Sequence, residues 1–362
     1  MRGKRAFSLA LCCLLLLSGC GGDAAPAGAP PEDYAVGVLR TSGSVERSEI
    51  LYFDAHLNQT GAFSLPYASV GDTFHAPVVF DGGVYFVPQG QANRRNQRLI
   101  LRQDLETLDL RAYPLDRVAI YGLSATEEAV YAANNLNGQS FVSRIDQADR
   151  TVTTSVFDGA YVSAVYAWGD ALYVFSDRDG GPARRSTLHR LDPDTLAETG
   201  AVDISALGGG VYSAAGAGEK LYFAPVEGPD GGFAGSIGVY RPNTGELTAI
   251  ELDQTAFHLL CDGERLYAAH GNLVTGEGTA LSVYDLETGE RAVCDLGLWP
   301  AQIALSGGAL YVMGADRVAK FDRHTLRKLA ETVLPAEEGY YLSGIFARAA
   351  GGGPGAEIAA EN

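Results

Sequence analysis

The chain has 362 residues and a net charge of −17, from 27 basic and 44 acidic side chains. A protein this acidic lacks the positive surface that nucleic acids and anionic bilayers attract, so we expect no nucleic-acid partner. With 46% hydrophobic residues, it has enough apolar side chains for one large folded domain or two ordinary ones.

The N-terminus has the parts of a secretion signal. Basic residues precede the apolar segment 6–17, which is shorter than the about 20 residues of a membrane-spanning helix. The ending LSGC at 17–20 resembles the bacterial lipobox, in which cleavage precedes the cysteine and its sulfur is lipidated. The resemblance implies a signal peptide at 1–19 and an extracytoplasmic protein anchored to the bacterial cell membrane through Cys20. The alternative is an ordinary cleaved signal peptide with a chance cysteine.

Two segments outside the main domain lack any apolar pattern. Residues 20–34, which follow the signal, are rich in proline and small residues and predict a lipidated cysteine with a flexible tether of roughly 20 Å. Residues 349–362 predict a disordered tail. The folded domain is therefore expected at 35–348.

A repeat of 42 to 49 residues organises this domain. Each copy contains a turn followed by an apolar–tyrosine pair, with the tyrosines at Tyr85, Tyr131, Tyr173, Tyr222, Tyr267 and Tyr311. Further along each copy is a strand–turn–strand pattern such as SVYDLETGE at 282–290, in which Asp and Gly are typical turn residues. Four strands, which we label A to D, in about 45 residues are typical of a β-propeller blade.

Six complete repeats run from about residue 72 to 334. The sequence before them predicts strands B, C and D of another blade, and GYYLSGIFAR at 339–348 predicts its strand A. The chain is thus predicted to be an all-β, seven-bladed β-propeller closed by both termini, which removes open sheet edges. We expect a monomer.

The turn motifs SVYDLETGE (282–290) and GVYRPNTGE (238–246), with the Leu-Tyr strands, resemble the YVTN and quinoprotein-like propellers of bacterial envelopes. The resemblance implies the fold and leaves the function open. The Trp-Asp dipeptide of WD repeats is absent. The tryptophan that follows the turn in quinoprotein dehydrogenases is absent too, because Trp168 and Trp299 lie elsewhere. We therefore expect no quinone cofactor.

Two cysteines fall within the domain. Cys261 is expected at the end of strand A and Cys294 in strand D of blade 6, three strand spacings or roughly 14 Å apart. A disulfide requires Cα atoms within about 7 Å, so no bond between them is predicted.

Aromatic residues recur where the chain enters strand A of each blade. At one mouth of the central channel they would form a ring that stacks on a sugar, a cationic group or an aromatic ligand. The alternative is packing between blades. The candidate ligand-binding residues are Phe74, His75, Tyr121, Tyr161, Tyr212, Phe257, His258, Trp299 and Tyr340.

Charged residues recur nearby. Carboxylates just upstream of the aromatic positions could together bind a calcium ion, the one cofactor that the sequence suggests. Alternatively, each carboxylate hydrogen-bonds the backbone of its own turn. The candidates are Asp72, Asp116, Asp158 and Asp253, and the acids at Asp203, Asp295, Glu337 and Glu338 complete the series. Loops at 89–98 and 176–187 add arginines that could bind a carboxylate or phosphate, or simply remain in solvent: Arg94, Arg95, Arg98, Arg184 and Arg185.

No catalytic residue is predicted, because no G-x-S-x-G, P-loop or dinucleotide-binding motif occurs, although a His75–acid dyad stays open. The first hypothesis is a non-enzymatic module that binds a small ligand or a protein through its channel face. The second is a carboxylate- or metal-dependent envelope hydrolase or lyase at the channel mouth. A weaker third is an assembly factor that docks on a membrane complex. A buried carboxylate or histidine with a shifted pKa beside a partner would favour the enzyme.

Overall fold

The computed structural model describes residues 34–178, 185–272 and 275–348. The predicted signal peptide, Cys20, the tether up to residue 33, Arg184 and the C-terminal tail lie outside the described residues. All regular structure in these ranges is β-strand, and no helix in them is long and apolar enough to cross a membrane.

The strands form seven four-stranded antiparallel sheets, the blades. Blade 1 contains β1 (Val36–Ser42), β2 (Ser48–Phe53), β3 (Gln59–Leu65) and the last strand, β28 (Tyr340–Ala347). Blade 2 contains β4 (Val78–Phe80), β5 (Gly83–Phe86), β6 (Leu99–Asp104) and β7 (Leu110–Pro114). Blade 3 contains β8 (Ile120–Ala125), β9 (Ala129–Leu136), β10 (Gln139–Asp146) and β11 (Val152–Asp158). Blade 4 contains β12 (Tyr161–Trp168), β13 (Ala171–Arg178), β14 (Arg185–Leu191) and β15 (Glu198–Asp203).

The same arrangement continues around the ring. Blade 5 contains β16 (Ser213–Ala217), β17 (Lys220–Ala224), β18 (Ser236–Arg241) and β19 (Glu246–Glu251). Blade 6 contains β20 (Ala256–Cys261), β21 (Arg265–His270), β22 (Ala280–Asp285) and β23 (Arg291–Asp295). Blade 7 contains β24 (Gln302–Ser306), β25 (Ala309–Met313), β26 (Arg317–Asp322) and β27 (Lys328–Val333).

The ring is closed by pairing the two ends of the chain. In blade 1, β28 is the innermost strand and pairs with β1, from Val36 opposite Ala347 to Ser42 opposite Tyr340. The seven innermost strands contact one another in cyclic order, with β28 between β24 and β4. The predicted seven-bladed propeller with mixed N- and C-terminal strands is therefore confirmed.

The hydrophobic core is divided into seven clusters, one between each pair of neighbouring blades. The repeated strand B tyrosines all belong to these clusters and are almost completely buried. The hydroxyls of Tyr85, Tyr131 and Tyr267 donate to polar partners at the cluster edges, in the case of Tyr267 to Asp262 at 2.9 Å. Burial of each ring removes a large apolar area from water, which explains why the repeat retains a tyrosine at this position.

The C–D turns follow the predicted chemistry. In blade 6 the Oδ1 of Asp285 accepts the backbone N–H groups of Glu287 and Thr288, at 3.1 and 2.8 Å. These hydrogen bonds lower the pKa of Asp285. The turn is completed by a residue with positive φ, Gly289 at 76°, and blades 1, 2, 4 and 7 have a leucine with positive φ in the same turn.

Cys261 lies on the first strand of blade 6 and Cys294 on the fourth, as predicted. Both are free thiols, as expected for cysteines three strands apart.

Candidate functional site

One connection crosses the mouth of the channel. Residues 66–77, which link β3 to β4, form a twelve-residue segment that we call the strap. The backbone oxygen of Asp72 accepts from Gln302 of blade 7 at 2.8 Å. The ring of Phe74 lies 5.1 Å from that of Tyr212, at the start of blade 5. The strap therefore joins blades on opposite sides of the ring and covers part of the channel.

His75 fixes the far end of the strap. Its Nδ1 lies 3.2 Å from the Asp72 carboxylate, and its Nε2 lies 2.9 Å from the carbonyl oxygen of Ser163 on β12. The Ser163 carbonyl and the ionised Asp72 carboxylate accept hydrogen bonds, so this geometry favours a ring with two N–H donors, the imidazolium. Burial opposes this charge, but Asp72 and the Ser163 carbonyl outweigh burial and raise the pKa of His75.

This geometry bears on the His75–acid dyad. A general base needs a free nitrogen that faces the proton it abstracts. Both nitrogens of His75 are engaged as donors within the protein, and its side chain is only 12% exposed. His75 has the buried position and the raised pKa expected of a group at an active site, but its contacts hold the strap in place.

Beside the strap is a cavity of about 480 Å³, within the size range of small-molecule sites. Its wall is mainly aromatic, with polar groups between the rings. The residues that line it are Ser69, Gly71, Asp72, Thr73, Phe74, His75, Gln89, Arg95, Tyr121, Asn135, Tyr161, Tyr212 and Tyr341. Five of the nine predicted binding residues are thus brought together here: Phe74, His75, Tyr121, Tyr161 and Tyr212.

Three tyrosine hydroxyls are open to a ligand. Tyr121, Tyr161 and Tyr341 have no hydrogen-bond partner in the described part of the chain, and Tyr161 is 40% exposed. Burial, with Tyr212 and Tyr121 close by, raises the pKa of Tyr161 to about 12. This phenol therefore stays protonated and can donate a hydrogen bond at any physiological pH.

Two further polar groups lack partners within the described ranges. The guanidinium of Arg95, on the B–C loop of blade 2, makes no ion pair or hydrogen bond there. The hydroxyl of Ser69 is likewise unpaired, although the residue is only 3% exposed. An unpaired buried hydroxyl is costly, so Ser69 points to a group that binds in the cavity, whereas Arg95 is an exposed side chain whose guanidinium is open to a ligand. The Asp72–His75 pair is neutral overall, which leaves Arg95 as the net charge of the wall.

The other four predicted residues lie outside this wall. Phe257 is buried between blades 6 and 7, where Trp299 stacks on it with ring centroids 6.3 Å apart. Burial lowers the pKa of His258 to about 4, and its Nδ1 accepts from the backbone N–H of Ile303 at 3.0 Å. Tyr340 packs under the guanidinium of Arg40, 5.9 Å from the ring. These four residues pack between or against strands away from the cavity wall.

Tyr341 is the one aromatic residue of the wall that was not predicted, and the polar residues Ser69, Gln89 and Asn135 were not predicted either. Neighbouring residues on a strand point to opposite faces, so only one of the Tyr340-Tyr341 pair can reach the channel. The pair itself was visible in the sequence, but its strand register was not. The strap was missed as well, and its signal was the length of the β3–β4 connection.

The candidate metal ligands are not brought together. Asp72 is paired with His75, whereas the carboxylates of Asp116 and Asp253 are largely exposed beside Arg117 and Arg291. Asp158 accepts from Gln139 at 3.2 Å. Within residues 34–178, 185–272 and 275–348, no three His, Cys, Asp or Glu side chains are grouped to hold a metal ion.

No protein-family model matches the chain, and neither does any curated protein sequence. Solved structures do match. AztD from Citrobacter koseri, in its apo form, has 10% identity and a TM-score of 0.51, with 87% of this chain and 98% of that chain covered. A proposed 6-phosphogluconolactonase from Bacteroides uniformis has 18% identity and a TM-score of 0.58, with 86% and 99% covered. BamB from Moraxella catarrhalis has 12% identity and a TM-score of 0.52, with 89% and 92% covered. At these identities the likeness is one of fold alone.

Proposed function

We propose that this protein is a lipid-anchored envelope protein that binds a sugar with one carboxylate in the cavity beside the strap. The observation on which this depends is the unpaired guanidinium of Arg95 in a wall of tyrosines with open hydroxyls. The aromatic faces would stack on the apolar side of the sugar ring, and the hydroxyls would bind its edge. Arg95 would bind the carboxylate through two parallel hydrogen bonds.

The charges of the wall separate this ligand from the two alternatives that an aromatic site allows. A cationic ligand would meet Arg95 and the imidazolium of His75, and the one carboxylate in the wall, Asp72, is already paired. A purely aromatic ligand would leave the hydroxyls of Ser69, Tyr121 and Tyr161 without partners, at a cost for each buried one. A sugar acid satisfies both the rings and the polar groups.

The anchor is part of the same proposal. The lipobox-like sequence that ends at Cys20 supports an extracytoplasmic position, with the lipid holding the domain at a membrane through the tether. A site of this kind at the end of a tether would capture sugar acids that are released or displayed outside the cell. No covalent chemistry is required of it.

Calorimetric titration of the mature protein with glucuronate tests the proposal. Glucuronate should bind, glucose should bind at least about tenfold more weakly, and choline should not bind, because only the carboxylate matches Arg95. Arg95→Gln should weaken glucuronate binding by about tenfold or more and leave glucose unaffected. Arg94→Gln, at the neighbouring exposed position outside the wall, is the matched control. Equal binding of glucose and glucuronate, or no effect of Arg95→Gln, would contradict the assignment.

A further inference from the structure

A second cavity adjoins the first. It has a volume of about 490 Å³ and lies along the top of blade 3, beside the start of blade 4. Asn135 and Tyr161 line both cavities, so the two spaces meet at these side chains. We call this second space the blade 3 groove, and its outer wall is the hairpin end Leu136–Gln139.

The groove is open because the hairpin is short. Only Asn137 and Gly138 connect β9 to β10, with φ angles of 54° and 78°. Asn-Gly with positive φ at both positions is the tight two-residue turn that matches the twist of a β-hairpin. The corresponding connection in blade 2, from Val87 to Arg98, has twelve residues and contributes Arg95 to the cavity. Because the β9–β10 turn of blade 3 is short, the cavity is not walled on that side.

The lining of the groove suits a neutral, hydroxyl-rich chain. Amide side chains of Asn137 and Gln139 supply both donors and acceptors, and Leu136 adds an apolar surface that is 43% exposed. Among the described residues, the one acidic side chain in the wall is Asp177, which accepts from the hydroxyl of Ser186 at 2.7 Å and from the backbone N–H of Gly210. No basic side chain of residues 34–178 or 185–272 lines the groove.

From this continuity we infer that the ligand is a chain of sugars, with the acidic unit in the cavity and the following neutral units in the groove. This inference rests on the proposed function. Tyr161, at the junction, would contact two successive units with its partly exposed ring. An oligosaccharide fits better than an extended peptide, because β9 and β10 remain paired up to Leu136 and Gln139 and offer no free strand edge.

The test is the dependence of affinity on ligand length. The mature protein is titrated with glucuronate, then with oligosaccharides of two, four and six units in which one terminal glucuronate is followed by neutral N-acetylglucosamine units. An acidic hexapeptide serves as the comparison. Affinity should rise at least tenfold between the single sugar and the tetrasaccharide and then level off, because the groove is filled. The peptide should bind no better than glucuronate alone.

Two variants at equally exposed leucines show where the added units bind. Leu136→Asp places a carboxylate in the groove and should remove most of the gain with length while glucuronate binds as before. Leu329→Asp, on the outer strand of blade 7 with a leucine 44% exposed, should leave the gain intact. Equal affinity for one and four units, tighter binding of the peptide, or a full gain in Leu136→Asp would overturn the chain inference while the proposed function stands. Failure of glucuronate and all oligosaccharides to bind would overturn both.

Discussion

Replacement of His258 tests how the inner ring of the propeller responds to acid. His258 lies on β20 and accepts the backbone N–H of Ile303, on the neighbouring blade, through Nδ1 at 3.0 Å. The residue is 7% exposed, and burial lowers its pKa to about 4. The ring is therefore neutral in the folded protein, and it joins the innermost strands of blades 6 and 7.

The direction of the pH effect follows from this shift. In the unfolded chain a histidine has a pKa of about 6.5, so between pH 6.5 and 4 the unfolded state binds a proton that the folded state does not. The contribution of His258 to stability is complete above pH 6.5 and is lost as the pH falls toward 4. With these two pKa values, the contribution of His258 to the free energy of unfolding should drop by about 2 kcal/mol between pH 7.5 and pH 5.

Urea unfolding at pH 7.5 and pH 5.0 measures this difference. In His258→Asn the amide oxygen can still accept the N–H of Ile303, and the titrating group is gone. The variant should therefore lose about 2 kcal/mol less than the wild type between the two pH values. His56→Asn, at an exposed position in the β2–β3 turn, should behave as the wild type does. An equal loss in wild type and His258→Asn would refute the assignment of a neutral, buried His258.

Two more outcomes are expected. The pKa of His75 is raised, so its effect on stability has the opposite pH dependence to that of His258. The pairing of His75 with Asp72 and Ser163 stabilises the fold fully below pH 6.5, and this stabilisation is lost as the pH rises through the pKa of the folded state. In urea unfolding, His75→Gln should destabilise the protein more at pH 6 than at pH 9, and an effect independent of pH would contradict the imidazolium. Cys20→Ala should move the protein from the membrane fraction to the soluble fraction, because one residue would hold the whole anchor; retention in the membrane fraction would contradict lipidation at Cys20.

The fold was predictable because it depends on a repeated pattern. Blades 2 to 7 each contribute one buried strand B tyrosine, every blade has a C–D turn, and these features recur at nearly constant spacing in the sequence. The closing blade was predictable because the two leftover ends, at 35–65 and 340–347, supply the four strands that one blade needs. Patterns of this kind are local, so a single sequence is enough to read them.

The site was predictable only in part, because its members are selected by contacts between blades. Phe257 and Tyr161 occupy the same place in the repeat, yet Phe257 is 2% exposed and Tyr161 is 40% exposed. The difference depends on Trp299, which covers Phe257 from the next blade, and no spacing in the sequence encodes that contact. The charge states of His75 and His258 differ for the same reason: one meets a carboxylate, and the other meets a backbone N–H.

The strap explains why the binding residues collect on one side of the ring. A seven-bladed repeat alone would give a symmetric channel mouth, with equivalent aromatics around it. The strap contacts blades 4, 5 and 7 and fills part of that opening, so Phe74 and His75 meet Tyr212 near the centre. A sugar has no sevenfold symmetry, and it needs rings on some sides and hydrogen-bond partners on others. The single long connection thus converts a symmetric opening into a pocket with distinct walls, with Arg95 in one of them and the blade 3 groove beside it.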